Sequence, residues 1–347
     1  MLVAKWRNQF VYASEMVKKK TVVNQSELEC PTCQRPVFIK KGPFKSPHFA
    51  HHDKKFCPSF SEGETKEHIE AKHLLFRWSE KQFELEAYLP LLQQRPDLLY
   101  HQLAVEVQCS SLAQKRMIER TNNYLSHGYK AWWLMGTKLA PKTTLTALQR
   151  SFCSYDKLLG CYFWCIDVKE EKILLYYHVV EFPNGSFFFQ TKEWGVKQGA
   201  LLEIYSCMFQ KDTAIIQEKL IQSWGDYQKM LFKELVRKKK PTLEVQMELY
   251  RKHKNLQAMS PWMYQPSAYY LFFGVQMMVY RSWFEELLNE RKKLSIKELN
   301  ELFYKWRKQV ALKRWQFPLC EKKEIEKRLF LECVYHTKIE IIRNFEK

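Results

Sequence analysis

Long apolar runs are what this sequence most clearly lacks. No stretch of about 18 uncharged apolar residues occurs in its 347 residues, and the opening MLVAKWRNQFVYASEM has too short an apolar segment for a signal peptide. We therefore expect a soluble, cytoplasmic protein without membrane insertion. Internal repeats and low-complexity linkers are also absent from the sequence.

Acidic residues are scarce relative to basic ones: 38 Asp and Glu stand against 56 Lys and Arg, a formal net charge of +18. Residues 1–60 carry +7, residues 61–210 carry 0 and residues 211–347 carry +11. Two basic flanks predict a polyanionic partner, and nucleic acid is favoured over phospholipid. A generally basic soluble protein is the alternative. The 46% hydrophobic content excludes wholesale disorder and suits two or three domains.

A cluster of metal-ligand residue types lies between positions 30 and 57. The sequence pairs Cys30-x-x-Cys33 with a later group made up of His48, His51, His52 and Cys57. A hairpin with Gly42-Pro43 in its turn would bring the two groups together, as in a zinc ribbon. We predict structural Zn²⁺ because no open coordination position is evident. The predicted ligands are Cys30, Cys33, His51 and Cys57, and His48 with His51 is the competing second pair.

Residues 61–81 form a predicted helix that carries a polar stripe. Ser61 and Glu64 have the spacing of a capping box, so the helix is expected to begin there. Glu64, His68 and Lys72 follow one another at intervals of four, which places them on one face. The alternative is that Glu64 only caps the helix and the others face solvent.

The next segments predict an α-β-β-β-α-β order. The strands are expected at 83–90, 97–100, 103–110 and 129–136, with a helix at 111–128. A hairpin of the second and third strands would bring Asp97 near Glu106, with Gln108 on the same polar face. Together with Glu64, these oxygen-rich side chains suit Mg²⁺ or Mn²⁺, which favours a phosphodiesterase. The alternative is that Asp97 starts a turn and Glu106 faces solvent.

The remainder changes from strands to helices. Short strands are expected within 155–193 and helices from 197 onward, including amphipathic helices at 213–241 and 294–315. The first of these ends in Arg237, Lys238, Lys239 and Lys240, a candidate DNA-binding cluster. Two alternatives stay open: the interleaved aromatic residues are helix core, and the basic run complements the helix dipole. The predicted units are 1–60, 61–150 and 151–347.

Several short motifs in the first 140 residues resemble the CoiA competence proteins. They are CPTC at 30–33, PHFAH at 47–51, Cys57, Glu64-x3-His68-x3-Lys72, QRPD at 94–97, VEVQCS at 105–110, RTNNY at 120–124 and WWLMG at 132–136. The resemblance implies a nuclease-like domain of the PD-(D/E)xK superfamily, and a role on incoming DNA and its recombination in natural transformation. The fold class is then α+β/α/β: a zinc-ribbon-like N-terminal segment, an αβββαβ core, short strands, and a mainly helical C-terminal region.

The same resemblance assigns roles to individual residues. Asp97 and Glu106 become the metal-binding pair, and Glu64, His68 and Lys72 match the helix pattern. Gln108 stands where the superfamily more often has Lys, and an amide cannot supply that positive charge. The expected activity is that of a Mg²⁺- or Mn²⁺-dependent endo- or exonuclease on single-stranded or branched DNA. The alternative is a noncatalytic DNA-binding adaptor that recruits a recombinase or other competence proteins.

Overall fold

The computed structural model describes residues 1–19, 24, 27–42, 45–53, 57, 65–206, 227–290, 296–309 and 315–337. The strands are β1 Val3–Trp6, β2 Gln9–Tyr12, β3 Leu28–Glu29, β4 Val37–Gly42, β5 Lys45–His51, β6 Glu84–Leu85, β7 Leu98–Tyr100, β8 Leu103–Gln108, β9 Lys130–Gly136, β10 Ser154–Asp156, β11 Gly160–Asp167, β12 Lys172–Glu181 and β13 Phe187–Gly195. The helices are α1 Ala13–Lys18, α2 Lys66–Trp78, α3 Gln114–Ser126, α4 Ala147–Ser151, α5 Leu201–Tyr205, α6 Tyr227–Val236, α7 Lys240–Tyr250, α8 Tyr270–Phe273, α9 Met277–Glu290, α10 Ile296–Gln309 and α11 Lys322–His336.

The N-terminal strands form two small sheets. Strand β1 pairs antiparallel with β2 and β3, while β4 and β5 form the predicted antiparallel hairpin. Residues 43 and 44 of its turn lie outside the described residues. The core between these strands is small and includes Leu28, Val37 and Phe49 beside Cys30 and Cys57. So small an apolar core contributes little free energy of folding by itself.

A larger mixed sheet follows, with strand order β13-β12-β11-β9-β8-β7-β6. Strand β9 is parallel to both β8 and β11, whereas the other neighbours are antiparallel. The predicted α-β-β-β-α-β order is present as α2, β6, β7, β8, α3 and β9. The strands predicted within 155–193 extend this same sheet. They are not short, because β12 alone has 10 residues.

Both faces of the central sheet are buried, as alternation along β9 shows. Trp132 and Leu134 pack in the cluster that contains Leu74 and Leu75 of α2. Trp133 and Met135 pack in another cluster, with Met117 of α3. Because successive strand residues point to opposite faces, α2 and α3 cover opposite sides of the sheet. Their polar residues therefore approach the β7–β8 hairpin from two directions.

Several local predictions were wrong. The helix predicted from Ser61 begins in the described residues at Lys66, where the Thr65 hydroxyl accepts a hydrogen bond from His68 N at 3.2 Å. Residues 61–64, including Glu64, lie outside the described residues. The strand predicted at 83–90 is only the two-residue β6. Strand β8, predicted to have a polar face, is buried at every residue because helices cover both faces.

The C-terminal region is mainly helical and has its own core, which includes Leu231, Leu249, Phe284, Phe303 and Phe330. The predicted helix 213–241 is not continuous: α6 ends at Val236, and α7 starts at Lys240 with Pro241 in its first turn. Residues 213–226, 294–295 and 310–314 of the two predicted helices lie outside the described residues. No helix in the described ranges combines the length and apolar character that a bilayer span requires.

Candidate functional site

The β7–β8 hairpin brings the two predicted carboxylates to neighbouring positions. Leu98 pairs with Val105 and Tyr100 pairs with Leu103, which leaves a two-residue turn. His101 in this turn has a φ of 48°, a left-handed conformation that histidine adopts more readily than most residues. Continued one step beyond Leu98, this register puts Asp97 opposite Glu106. The turn thus forms without the Asn-Gly sequence that usually marks a tight hairpin.

Helix α2 holds the carboxylate of Asp97. His68 Nε2 lies 3.0 Å from Asp97 Oδ1, and Lys72 Nζ lies 3.6 Å from the same oxygen. The backbone N–H of Val107 donates to Oδ2 at 2.8 Å. Burial by itself would raise the pKa of Asp97, but the charges of His68 and Lys72 outweigh it and hold this pKa well below its usual range. The site therefore keeps Asp97 ionised.

Glu86 is a residue of this network that the sequence analysis missed. Its Oε1 accepts a hydrogen bond from Lys72 Nζ at 2.6 Å, and its Oε2 accepts from the backbone N–H groups of Leu2 at 2.7 Å and Val3 at 3.4 Å. Its backbone N–H donates to the Asp97 carbonyl at 2.9 Å. Lys72, predicted on the polar stripe of the helix, is thus committed to a buried ion pair. No sequence signal distinguished it, because Glu84 and Glu86 occupy equivalent polar positions on either side of Leu85.

Helix α3 holds the carboxylate of Glu106. The Tyr124 hydroxyl donates to Glu106 Oε1 at 2.6 Å, and the Arg120 guanidinium donates to the same oxygen. Burial raises the pKa of Glu106 to about 7; the Arg120 charge opposes this rise, and the Asp97 charge adds to it. Arg120 and Tyr124 lie four residues apart on one helical face, which is the signal that could have identified them in RTNNY.

The oxygen donors of this site suit a hard divalent cation. Both hydrogen bonds to Glu106, from Arg120 and Tyr124, go to Oε1, and none to Oε2 is found among the residues that the structure describes. Gln108 is also buried, and its amide nitrogen donates to the Ser110 carbonyl at 2.9 Å. The third predicted acid, Glu64, lies outside the described ranges. Asp97 and Glu106 are accordingly the described residues that would hold Mg²⁺ or Mn²⁺.

A second candidate metal site lies at the N-terminus. Cys30, Cys33, His51 and Cys57 place their four ligand atoms within 4.8 Å of one another. Cys33 Sγ is 3.2 Å from His51 Nε2, and Cys30 Sγ is 4.0 Å from Cys57 Sγ. Zn–S bonds of about 2.3 Å in a tetrahedron give S···S separations close to the 4.0 Å between the Cys30 and Cys57 sulfur atoms. His48, the competing ligand, is not a member of this group.

The chain turns sharply between Cys30 and Arg35, which points the first two thiols at one place. Cys30 N–H donates to the Arg35 carbonyl and Gln34 N–H donates to the Cys30 carbonyl, both at 2.9 Å. Without a cation, burial raises the pKa of the Cys33 thiol to about 11, and the neighbouring Cys30 and Cys57 thiols add to the rise. A bound metal ion reverses this effect by stabilising the thiolates.

The basic cluster Arg237, Lys238, Lys239 and Lys240 is exposed and joins α6 to α7. Lys238, two residues after the end of α6, has a φ of 53°, and Lys239 Nζ lies 2.9 Å from Glu234 Oε1. Lys239 also lines a cavity of about 440 Å³, with Phe272 and Trp315 among its walls. Lys239 N–H donates to the Glu234 carbonyl at the C-terminal end of α6, and Lys240 begins α7, so the cluster lies between the negative end of one helix dipole and the positive end of the next.

The aromatic residues of these helices divide between core and surface. Tyr227 and Phe303 are buried in the C-terminal core. Phe232, on α6, is 56% exposed beside the basic cluster. Most of the interleaved aromatic residues in the described parts of the two helices therefore serve packing, and Phe232 is available for a partner.

The family comparisons cover the N-terminal and sheet regions. Residues 12–60 match the model described as "Competence protein CoiA, N-terminal domain", and residues 64–208 match "Competence protein CoiA, nuclease-like domain". A curated relative, the Competence protein CoiA of Bacillus subtilis (strain 168), is 35% identical over 129 residues. That alignment covers 35% of this chain and 35% of the relative, so it spans about a third of either protein. Comparison with the solved structures gives no match.

Proposed function

Because this chain belongs to the CoiA family of competence proteins, we propose that it cleaves incoming DNA during natural transformation as a divalent-metal-dependent deoxyribonuclease. One observation carries the proposal: the hairpin register puts Asp97 opposite Glu106, and both carboxylates are buried. Two buried acids held by hydrogen bonds on adjacent strands are typical of a site built for a cation. The nuclease-like domain match agrees with this chemistry.

In this proposal the site corresponds to that of a PD-(D/E)xK nuclease with one substitution. Asp97 follows Pro96 at the start of the hairpin, and Glu106-x-Gln108 takes the place of the (D/E)xK segment. Bound Mg²⁺ or Mn²⁺ supplies a water of lowered pKa and a charge that stabilises the attacked phosphate. His68 and Lys72 keep Asp97 ionised for this ion, while Tyr124 fixes the orientation of Glu106.

Hydrolysis of a phosphodiester sets the demands on the remaining residues. The water oxygen bonds to phosphorus, the bond from phosphorus to a sugar oxygen breaks, and a water proton ends on the leaving oxygen. Negative charge grows on the phosphate oxygens as this occurs, so a nearby cation lowers the barrier. Gln108 orients by hydrogen bonding and adds no charge.

The N-terminal cluster is proposed to hold structural Zn²⁺. Its three thiols and one imidazole match zinc in ligand type and number. These four ligands fill a tetrahedral coordination sphere, so no position is left for a catalytic water. The small apolar core around it needs such a crosslink. The Zn²⁺ unit would thus stabilise β4 and β5 beside the nuclease-like domain.

The proposed substrate is single-stranded or branched DNA. The two flanks carry the +18 net charge, and the exposed cluster Arg237–Lys240 offers four cations next to Phe232. Cations track the phosphates, and an exposed aromatic side chain can stack on an unpaired base. A recombinase or another competence protein is the proposed protein partner.

A noncatalytic adaptor is the second candidate function. It is favoured by the uncharged Gln108 and by the commitment of Lys72 to Glu86 at 2.6 Å. In that case the basic surfaces bring DNA to a recombinase, and the carboxylate pair is a remnant. The adaptor binds DNA without cutting it under any metal condition.

Cleavage of labelled single-stranded, double-stranded and branched DNA separates the two functions. The nuclease proposal predicts products with Mn²⁺ or Mg²⁺ and none with EDTA, and at least a 100-fold loss in Asp97→Asn. Binding of the same DNAs without any cleavage by the wild type would establish the adaptor. Equal cleavage by wild type and Asp97→Asn would show a contaminating nuclease.

A further inference from the structure

Position 108 lacks a cation, and the structure offers Arg120 as its replacement. Arg120 lies on α3, its guanidinium bonds to Glu106, and its side chain is 23% exposed. We propose that Arg120 supplies the positive charge at the scissile phosphate that Gln108 cannot supply. This inference rests on the proposed nuclease function and adds a catalytic residue to it.

The other candidate cation is badly placed for this role. Lys72 is fully buried, and Glu86 holds its ammonium group at 2.6 Å. Moving Lys72 toward a phosphate would leave Glu86 as an uncompensated buried charge, which is strongly unfavourable. Arg120 differs because its side chain reaches solvent from the Glu106 side of the hairpin.

The surroundings of Arg120 hold it in place and leave donors free for a phosphate. Its guanidinium lies 5.4 Å from the ring centroid of Trp133, and Trp133 Nε1 in turn donates to Thr121 Oγ1 at 3.0 Å. Within the described ranges, Glu106 is the one carboxylate bonded to Arg120. A guanidinium has five N–H donors in a planar fork, so bonding Glu106 leaves several for phosphate oxygens.

The hairpin places Arg120 in the same site as Asp97. Arg120 bonds to Glu106, and the β7–β8 register, continued one step beyond Leu98, puts Glu106 opposite Asp97. A phosphate held by a cation at Glu106 would lie near the guanidinium that bonds to the same carboxylate. Its charge then acts on the same oxygens that a lysine at position 108 would contact.

A substitution series tests this assignment. Arg120→Gln should lower the single-turnover cleavage rate about 100-fold with little change in DNA affinity, since the cation acts mainly in the transition state. Adding Gln108→Lys to that variant should restore at least about tenfold of the rate. Lys115→Gln removes a charge from the same helix, where the side chain is 77% exposed, and should leave the rate unchanged.

The opposing outcomes are separable. Wild-type rates in Arg120→Gln, or no recovery when Gln108→Lys is added, would overturn the assignment and make Arg120 a support for Glu106. If the wild type cuts no DNA, the nuclease proposal fails. DNA binding then still tests whether Arg120 contacts a phosphate. Arg120→Gln should then make the log–log salt dependence of single-strand binding shallower by about 0.7 relative to Lys115→Gln. An unchanged slope would overturn the phosphate contact.

Discussion

Lys72 Nζ lies 2.6 Å from Glu86 Oε1, and both side chains are buried. The other oxygen of Glu86 accepts the backbone N–H of Leu2, while Lys72 also lies 3.6 Å from Asp97. The pair thus connects the N-terminal strand to the carboxylate of the candidate active site. Loss of either partner would leave an uncompensated charge in the interior.

Lys72→Met and Glu86→Gln should therefore each lower the free energy of unfolding by about 3–5 kcal/mol, the usual effect of breaking a buried ion pair. Urea denaturation followed by circular dichroism measures this loss. Arg77→Ala is the control, because the Arg77–Glu171 pair is exposed and should contribute about 1 kcal/mol or less. A Lys72→Met variant as stable as Arg77→Ala would show that the buried pair is not structural.

The cysteine cluster predicts one tightly bound zinc ion per chain in the freshly purified protein. The double substitution of Cys30→Ser and Cys33→Ser should abolish zinc binding. It should also unfold the β4–β5 region, because the apolar core there is small. Elemental analysis measures the metal. Cys165→Ala, in the buried sheet core and away from the cluster, should retain a full equivalent. A metal content near zero in the wild type would contradict the zinc site.

Replacing Arg237, Lys238, Lys239 and Lys240 with Ala should weaken single-strand binding and make its log–log salt slope shallower by up to about 3. The physical reason is that each cation on a phosphate releases condensed counterions. Fluorescence anisotropy over a salt series measures both quantities. The expected loss is similar for different DNA sequences, since phosphate contacts carry no base information.

A four-alanine control removes the same charge elsewhere, at the exposed residues Arg77, Lys81, Lys115 and Arg251. It should change the slope much less. Equal effects of the two variants would mean that net charge, and not the cluster, drives binding. No effect of the cluster variant would move the DNA contact to the basic residues 1–60.

Local sequence patterns were sufficient for the α-β-β-β-α-β order and for the approach of Asp97 to Glu106. Period-two alternation set the face of each residue in β8, and the two-residue turn then fixed the register. The cysteine and histidine spacing likewise anticipated the group of four at the N-terminus. In each case the deciding residues lie close together in the chain.

Contacts between distant segments could not be predicted in this way. Glu86 meets the Leu2 N–H across 84 residues, and no periodicity links the two. The burial of both faces of β8 also depends on two separate helices, α2 and α3. The helix break after Val236 was partly predictable, since Pro241 suits the first turn of a helix. The positive φ of Lys238 was not predictable, because glycine, the residue that usually marks this conformation, is absent from that position.

The most direct test measures Mn²⁺ binding and DNA cleavage in the same samples. Wild type, Asp97→Asn and Glu106→Gln are titrated with Mn²⁺, with free ion followed by electron paramagnetic resonance and products followed on gels. We expect the wild type to bind Mn²⁺ at the carboxylate pair and to cut DNA as this site fills, while both variants lose the two together. Cleavage that persists in both variants, or Mn²⁺ binding that neither substitution weakens, would contradict the assignment of Asp97 and Glu106.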